Sequence, residues 1–426
     1  MAHVKQLTRA AILAVGSELL TPSRIDTNSL FITDQLNRIG IDVVLKLVVG
    51  DSREELARAF QLARSRAELV VLSGGLGPTD DDVTREAVAG VLGRPLSEDE
   101  AITSQLRARF AARGFTMPMP EINRRQAMVP QGAQVLENTR GSAPGLWIED
   151  DEGLTLLLPG PPRELKPMLT ALVEGQLGAR LTGASIVRRV IRVAGRIESH
   201  VDEALAPLYR KWEASRVPIS ATILAALGQI ELHLSVRTTS RDEAEAALGR
   251  AAAQVVELLG ADVFTTEGLA LEQVVGDLLA ARELRIALAE SCTGGLITSR
   301  LTDVPGSSRY VDQSVVVYSN ESKTALAGVP ASLLAKHGAV SEEVAVAMAE
   351  GIRSRAAVDV GVGVTGIAGP GGGSPDKPVG TVAIAAARGG STTRARVFRF
   401  IGEREQIKFQ ASQAALDMVR RLLIST

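Results

Sequence analysis

The sequence predicts an α/β protein of more than one domain, and three observations carry that expectation. The chain has 426 residues, more than one hydrophobic core usually organises. Its N-terminal part alternates short β-branched runs with helical patterns, and near residue 290 another strand gives way to a glycine turn and a helix. The composition, 45% hydrophobic but only 3% aromatic, suits sheets packed against Ala-rich helices.

Taken in order, strands over 10–15, 42–49 and 69–73 alternate with helices over 28–39 and 53–64. This βαβαβ pattern implies a parallel sheet. Its loops after strands carry glycines, at the sheet edge where open α/β folds bind ligands. A strand over 154–158 runs into Pro159-Gly160-Pro161-Pro162 and a helix carrying Arg163, Glu164 and Leu165, which closes a first domain over 1–172. Strands at 185–193 and 230–237 with helices at 197–208 and 241–259 read as a small α+β module over 173–260. Its Arg188, Arg189, Arg192 and Arg196 read as a solvated face rather than an RNA surface, and Gly195-Arg196-Ile197-Glu198 is not the Gly-x-x-Gly clamp of a nucleic-acid-binding KH module. A spacer or dimerisation role suits it better. The last domain, 261–426, is expected to place helices at 271–283, from 296, and at 404–423 around strands at 285–289, 313–317, 358–364 and 380–386. The Gly/Pro-rich stretch 366–378 is a functional-loop candidate.

The formal net charge of −2 gives no global attraction for nucleic acid or an anionic membrane. One cysteine, Cys292, rules out an intramolecular disulfide framework, and residues 1–9 lack a secretory-signal pattern. Apolar runs are strand-length, so no membrane span is expected. A cytoplasmic protein acting on small molecules is the resulting expectation.

Chemistry concentrates at two places. In Ala289-Glu290-Ser291-Cys292-Thr293-Gly294-Gly295 a strand hands over to a helix, and a serine there meets exposed backbone N–H groups able to stabilise an oxyanion. The same turn also suits an ordinary helix cap. Tyr318-Ser319-Asn320-Glu321-Ser322-Lys323 closes a neighbouring strand, and His3, His200, His233 and His337 are scattered without supporting motifs. Lysine is therefore the remaining base candidate: desolvation lowers its pKa, and a neighbouring Tyr318 hydroxyl would assist Lys323 in taking the Ser291 proton. Cys292 competes as nucleophile, but without an activator it reads as a packed hydrophobe. Thr365-Gly366-Ile367-Ala368-Gly369-Pro370 offers a further turn for a phosphate or oxyanion.

The second place is Ser73-Gly74-Gly75-Leu76-Gly77-Pro78-Thr79-Asp80-Asp81-Asp82-Val83-Thr84. Its glycine amides suit a phosphate, and the adjoining carboxylates suit a divalent cation bridging that phosphate. Asp80 reads instead as an acidic helix cap. Glu18 and Asp26 are further metal or ribose ligands, Asn28 opens the next helix, and the loops around Asn138 and Arg163 line the same edge.

The segments 289–295, 318–323, Gly338-Ala339-Val340-Ser341, 366–370 and Lys377-Pro378-Val379-Gly380-Thr381 resemble the nicotinamide-nucleotide amidohydrolase domain that ends proteins of the competence/damage-inducible CinA family. Residues 8–170 resemble that family's molybdopterin-binding-like N-terminal domain, with Leu76 where cofactor-binding relatives carry threonine. The middle module is expected to be KH-like in outline. The resemblance implies deamidation of nicotinamide mononucleotide to nicotinate mononucleotide and ammonia, with Ser291, Tyr318 and Lys323 catalytic and no metal. Thr293, Gly294, Gly295, Gly366 and Gly369 are expected to bind substrate, with Arg404 either a phosphate partner or an ordinary helix-start residue. For the N-terminal domain it implies metal-dependent hydrolysis of ADP-ribose to AMP and ribose 5-phosphate, with Asp81, Asp82, Glu18 and Asp26 holding the metal and Gly74, Gly75, Gly77, Thr79, Asn28 and Asn138 holding substrate. A homodimer is implied as well. The competing readings are a nucleotide-sensing adaptor and a molybdopterin-binding protein.

Overall fold

Strands that read as unbroken apolar runs do so because both of their faces are covered. The computed structural model describes residues 7–112, 119–181 and 185–425, so His3 and most of the N-terminal stretch lie outside the described residues. It divides into two compact units, Met1–Val187 with Val236–Glu245, and Arg188–Ser235 with Ala246–Thr426.

In the first unit the sheet runs Asp42–Val49, Arg9–Val15, Leu69–Ser73, Gly153–Leu158, Gly145–Asp150, Gln134–Leu136. The first four strands are parallel, the first three as the βαβαβ pattern predicts, and the last two are added by antiparallel pairing. Helices Asn28–Arg38 and Pro162–Glu174 cover one face, burying Ile32, Leu36, Leu165 and Leu169. Arg53–Arg66, Thr84–Leu92 and Glu100–Ala112 cover the other with Leu56, Phe60, Val88 and Ile102. Each such fully buried side chain contributes about 1.5–3 kcal/mol. Register sets Ala14 opposite Ser73 and Ser73 opposite Leu158, so three strands end in a row and release their loops together. One expectation is corrected here: the helix after the glycine turn begins at Thr84, with Val83 before it and no side-chain cap. Asp80 is therefore no cap, and its exposed carboxylate accepts from Arg125 Nη1 at 2.6 Å.

The middle sheet has the order Ser220–Ala226, Gln229–Thr238, Ser185–Val193, Val263–Thr265. Its first strand is exposed along most of its length, which leaves no burial pattern for the sequence to display. Arg189 pairs with Glu267, Arg192 with Glu231 and Arg196 with Asp262.

The C-terminal sheet runs Val311–Val316, Ile286–Glu290, Val360–Gly366, Thr381–Arg388, Arg394–Arg399, with the first three strands parallel and the last two added by antiparallel pairing. Helices Leu271–Ala281 and Arg404–Ile424 cover one face and Glu342–Ala356 the other. Gly361 and Gly363 make that second contact close, since a Cβ there would lie 2.1 and 2.3 Å from the carbonyl oxygens of Ala349 and Ala345. Among the described residues no helix is long and apolar enough to cross a membrane.

Candidate functional site

The interior strand Ile286–Glu290 is buried throughout and delivers Ser291 at its carboxyl end. The Ser291 amide donates to Val364 O at 2.9 Å, which fixes the residue to the neighbouring strand. Buried Glu290 takes the Ile297 and Thr298 amides, pinning the start of the next helix. Between these anchors the chain must turn sharply, and Gly294 and Gly295 do so at φ 62° and 91°. The partly exposed Gly295 amide has no acceptor among the described residues, leaving a donor free for an oxyanion. Thr293 is fully buried, and its hydroxyl has no partner among the described residues.

Lys323 approaches from the helix Asn320–Ala327, whose start is fixed by a reciprocal Ser319/Ser322 cap. Its side chain is 2% exposed. Nζ lies 3.2 Å from Ser291 Oγ, 3.0 Å from Val317 O and 3.3 Å from Tyr318 O. Burial lowers the Lys323 pKa, against smaller opposing effects of Cys292 and Glu321. In the neutral amine two N–H bonds satisfy the two carbonyls and the lone pair faces the serine hydroxyl, the arrangement a general base requires. The Tyr318 hydroxyl does not attend this amine as expected. Its backbone carbonyl does, while the exposed ring places the hydroxyl 3.0 Å from Arg404 Nη2. Arg404 Nη1 also donates to Gly369 O at 2.7 Å, so the arginine is tied to the glycine loop. Gly366 packs closely on Val382, Thr365 Oγ1 donates to Ala339 O, and Lys377 Nζ donates to His337 O, so this loop is held by its neighbours. Cys292 is 5% exposed, and burial pushes its pKa up to about 12, so it holds no thiolate at neutral pH. Lys408 escaped the sequence reading because it lies inside a helix, in its second turn, and in no motif; its Nζ would sit 3.7 Å from a Cβ on Gly294.

In the first unit, the loops released at the sheet edge enclose a cavity of about 820 Å³. Glu18, Asp26, Asn28, Gly74, Gly75, Gly77, Asp81 and Asp82 all line it. Gly74 permits a close crossing, since a Cβ there would lie 2.2 Å from Val15 O. The amides of Gly75 and Gly77 have no acceptor among the described residues and suit a phosphate. Asn28 donates to Ser73 Oγ and Gly160 O, leaving its Oδ1 unpartnered. Thr79 and Asn138, by contrast, do not line this cavity. Thr79 spends its amide and hydroxyl on Asp82. Asn138 staples its own loop, bonding Ala143 O, Glu164 and the amides of Arg140 and Gly141. Two residues were missed in the sequence. Buried Arg85 donates to Leu76 O and Gly77 O, and buried Gln126 lines the cavity with its Oε1 unpartnered. A helix-start arginine and a lone glutamine carry no motif signal.

The four carboxylates stand around the wall rather than in a cage: among the described residues no three His, Cys, Asp or Glu side chains gather to hold an ion. Magnesium usually takes only one or two carboxylates together with substrate phosphates, so these hard oxygen donors beside a free amide turn fit that mode.

Comparison with known proteins divides the chain in the same order. A model described as the CinA C-terminal domain matches residues 269–423, one described as a probable molybdopterin binding domain matches 11–179, and the damage-inducible protein CinA KH domain matches 188–265. A CinA-like protein of Koribacter versatilis is 48% identical over 419 residues, covering 97% of this chain and 100% of the relative. One of Acidobacterium capsulatum is 47% identical with the same coverage, 97% and 100%. The crystal structure of the protein CinA with unknown function from Thermoplasma acidophilum is 33% identical, covers 39% of this chain and 97% of that chain, and superposes with a TM-score of 0.37.

Proposed function

We propose, from the premise that the chain belongs to the CinA family, that its C-terminal domain deamidates nicotinamide mononucleotide and its N-terminal domain hydrolyses ADP-ribose. The observation that carries the first activity is the 3.2 Å approach of buried Lys323 Nζ to Ser291 Oγ.

Neutral Lys323 accepts the Ser291 proton as Oγ attacks the carboxamide carbon, and the Gly295 amide receives the developing oxyanion. The ammonium formed on Lys323 returns its proton to the departing nitrogen, which leaves as ammonia and deposits the acyl group on Ser291. Water then attacks the ester, Lys323 takes its proton, and nicotinate mononucleotide is released with Ser291 restored. Measuring ammonia release from nicotinamide mononucleotide tests the reading. Turnover by the wild type and none by Ser291→Ala is expected, whereas an inert wild type would sink it.

For the N-terminal domain the support is the free amides of Gly75 and Gly77 beside the carboxylates in one cavity. The turn binds a phosphate, and Asn28 Oδ1 accepts from a ribose hydroxyl. Asp81, Glu18 and Asp26 are the residues suited to a divalent cation, with Asp82 already engaged by Thr79. Such a cation supplies neutralisation of pyrophosphate charge. Loss of ADP-ribose hydrolysis on chelation, with recovery on adding magnesium, is the expected result.

A further inference from the structure

Lys408 is the unexplained cation of the C-terminal site. It lies one helical turn beyond Arg404 on Arg404–Ile424, so the two side chains share a face. Neighbouring like charges repel, and the first turn of a helix, where Arg404 lies, disfavours a cation through the backbone dipole. An anion bound there would relieve both. Arg404 is held by Gly369 O and the Tyr318 hydroxyl. Lys408, half-buried, has no hydrogen-bond or carboxylate partner among the described residues. Its Nζ would lie 3.7 Å from a Cβ on Gly294, ordinary contact distance, so the ammonium stands directly beside the glycine turn.

We infer that Lys408 is a specificity-determining residue that binds the phosphate of a mononucleotide whose carboxamide lies at Ser291. Gly294 follows Ser291 closely in one tight turn, its amide donating back to Ser291 O at 3.0 Å. The nucleophile and the Lys408 ammonium therefore flank the same short turn. A strongly hydrated ammonium without a fixed partner suits a phosphate, which it meets as a point charge. The substrate's identity rests on the amidase reading; the anion site does not.

The test compares wild type with Lys408→Ala and Lys408→Glu in the full chain. Loss of one charge-assisted contact raises KM for nicotinamide mononucleotide roughly tenfold or more, and the glutamate variant more than the alanine. The penalty disappears with the phosphate-free riboside, and inorganic phosphate, a competitor of the wild type, ceases to compete in the variants. Equal losses on nucleotide and riboside, or a fall in kcat alone, would overturn the assignment. Should the wild type release no ammonia, the amidase reading fails separately and calorimetry decides this one. Binding of nicotinamide mononucleotide weakened about tenfold by Lys408→Ala upholds it; equal affinities, or no binding to the wild type, overturn it.

Discussion

One guanidinium joins two parts of the C-terminal site: Arg404 reaches the Tyr318 hydroxyl at 3.0 Å and the Gly369 carbonyl at 2.7 Å. The two substitutions are therefore unequal. Tyr318→Phe removes one hydrogen bond and leaves Arg404 on the glycine loop, whereas Arg404→Ala releases both. We expect kcat/KM for ammonia release to fall roughly tenfold in the first and roughly a hundredfold in the second. Equal losses would mean that the tyrosine hydroxyl acts directly on substrate.

Lys323 sets the pH dependence. Because burial lowers its pKa in the folded protein, the neutral amine is present at lower pH than for an ordinary lysine. Activity should rise with pH through that lowered value and level off above it. Lys323→Met should cost about 10²–10⁴-fold in kcat, and Lys323→Arg should be equally poor, since a guanidinium stays protonated. An arginine variant with near-normal activity would exclude the proton-acceptor role.

Cys292 and Ser291 adjoin in sequence but differ in chemistry. With its pKa pushed up to about 12 by burial, the thiol should resist alkylation at pH near neutrality, and Cys292→Ala should keep activity within about threefold, as expected of a packing residue. Rapid labelling accompanied by inactivation would transfer the nucleophile role to the thiol.

Much of this site was legible because its parts are short-range. A strand, a serine and two glycines fix the turn at 291–295, and a lysine following a strand end needs only one helical turn to fold back. What sequence could not supply was direction. Tyr318 touches Lys323 through its carbonyl because the chain is already leaving the strand there, sending the ring outward to Arg404. The antiparallel strands Gly145–Asp150 and Thr381–Arg388 are as apolar as the parallel ones, and an apolar run carries no sign of strand polarity. Asp80 misled as a cap because three consecutive aspartates compete for one helix start, and the turn delays that start to Thr84.

Arg85 gives the N-terminal domain its sharpest test. It is 1% exposed and donates at 2.8 Å to both Leu76 O and Gly77 O. Holding Leu76 O turns the Gly77 amide of the same peptide the other way, as Thr84 Oγ1 does for the Gly75 amide by donating to Gly74 O, so Arg85 positions the turn without lining the cavity. Arg85→Met would strand two acceptors, at about 1–3 kcal/mol each, and lower the thermal midpoint. A turn misplaced by an ångström costs on the order of a hundredfold in a positioned reaction, so ADP-ribose hydrolysis should fall far more than the stability change alone requires. Ammonia release by the C-terminal domain serves as the internal control. If both activities fell in parallel with the folded fraction, Arg85 would be a stability residue and nothing more.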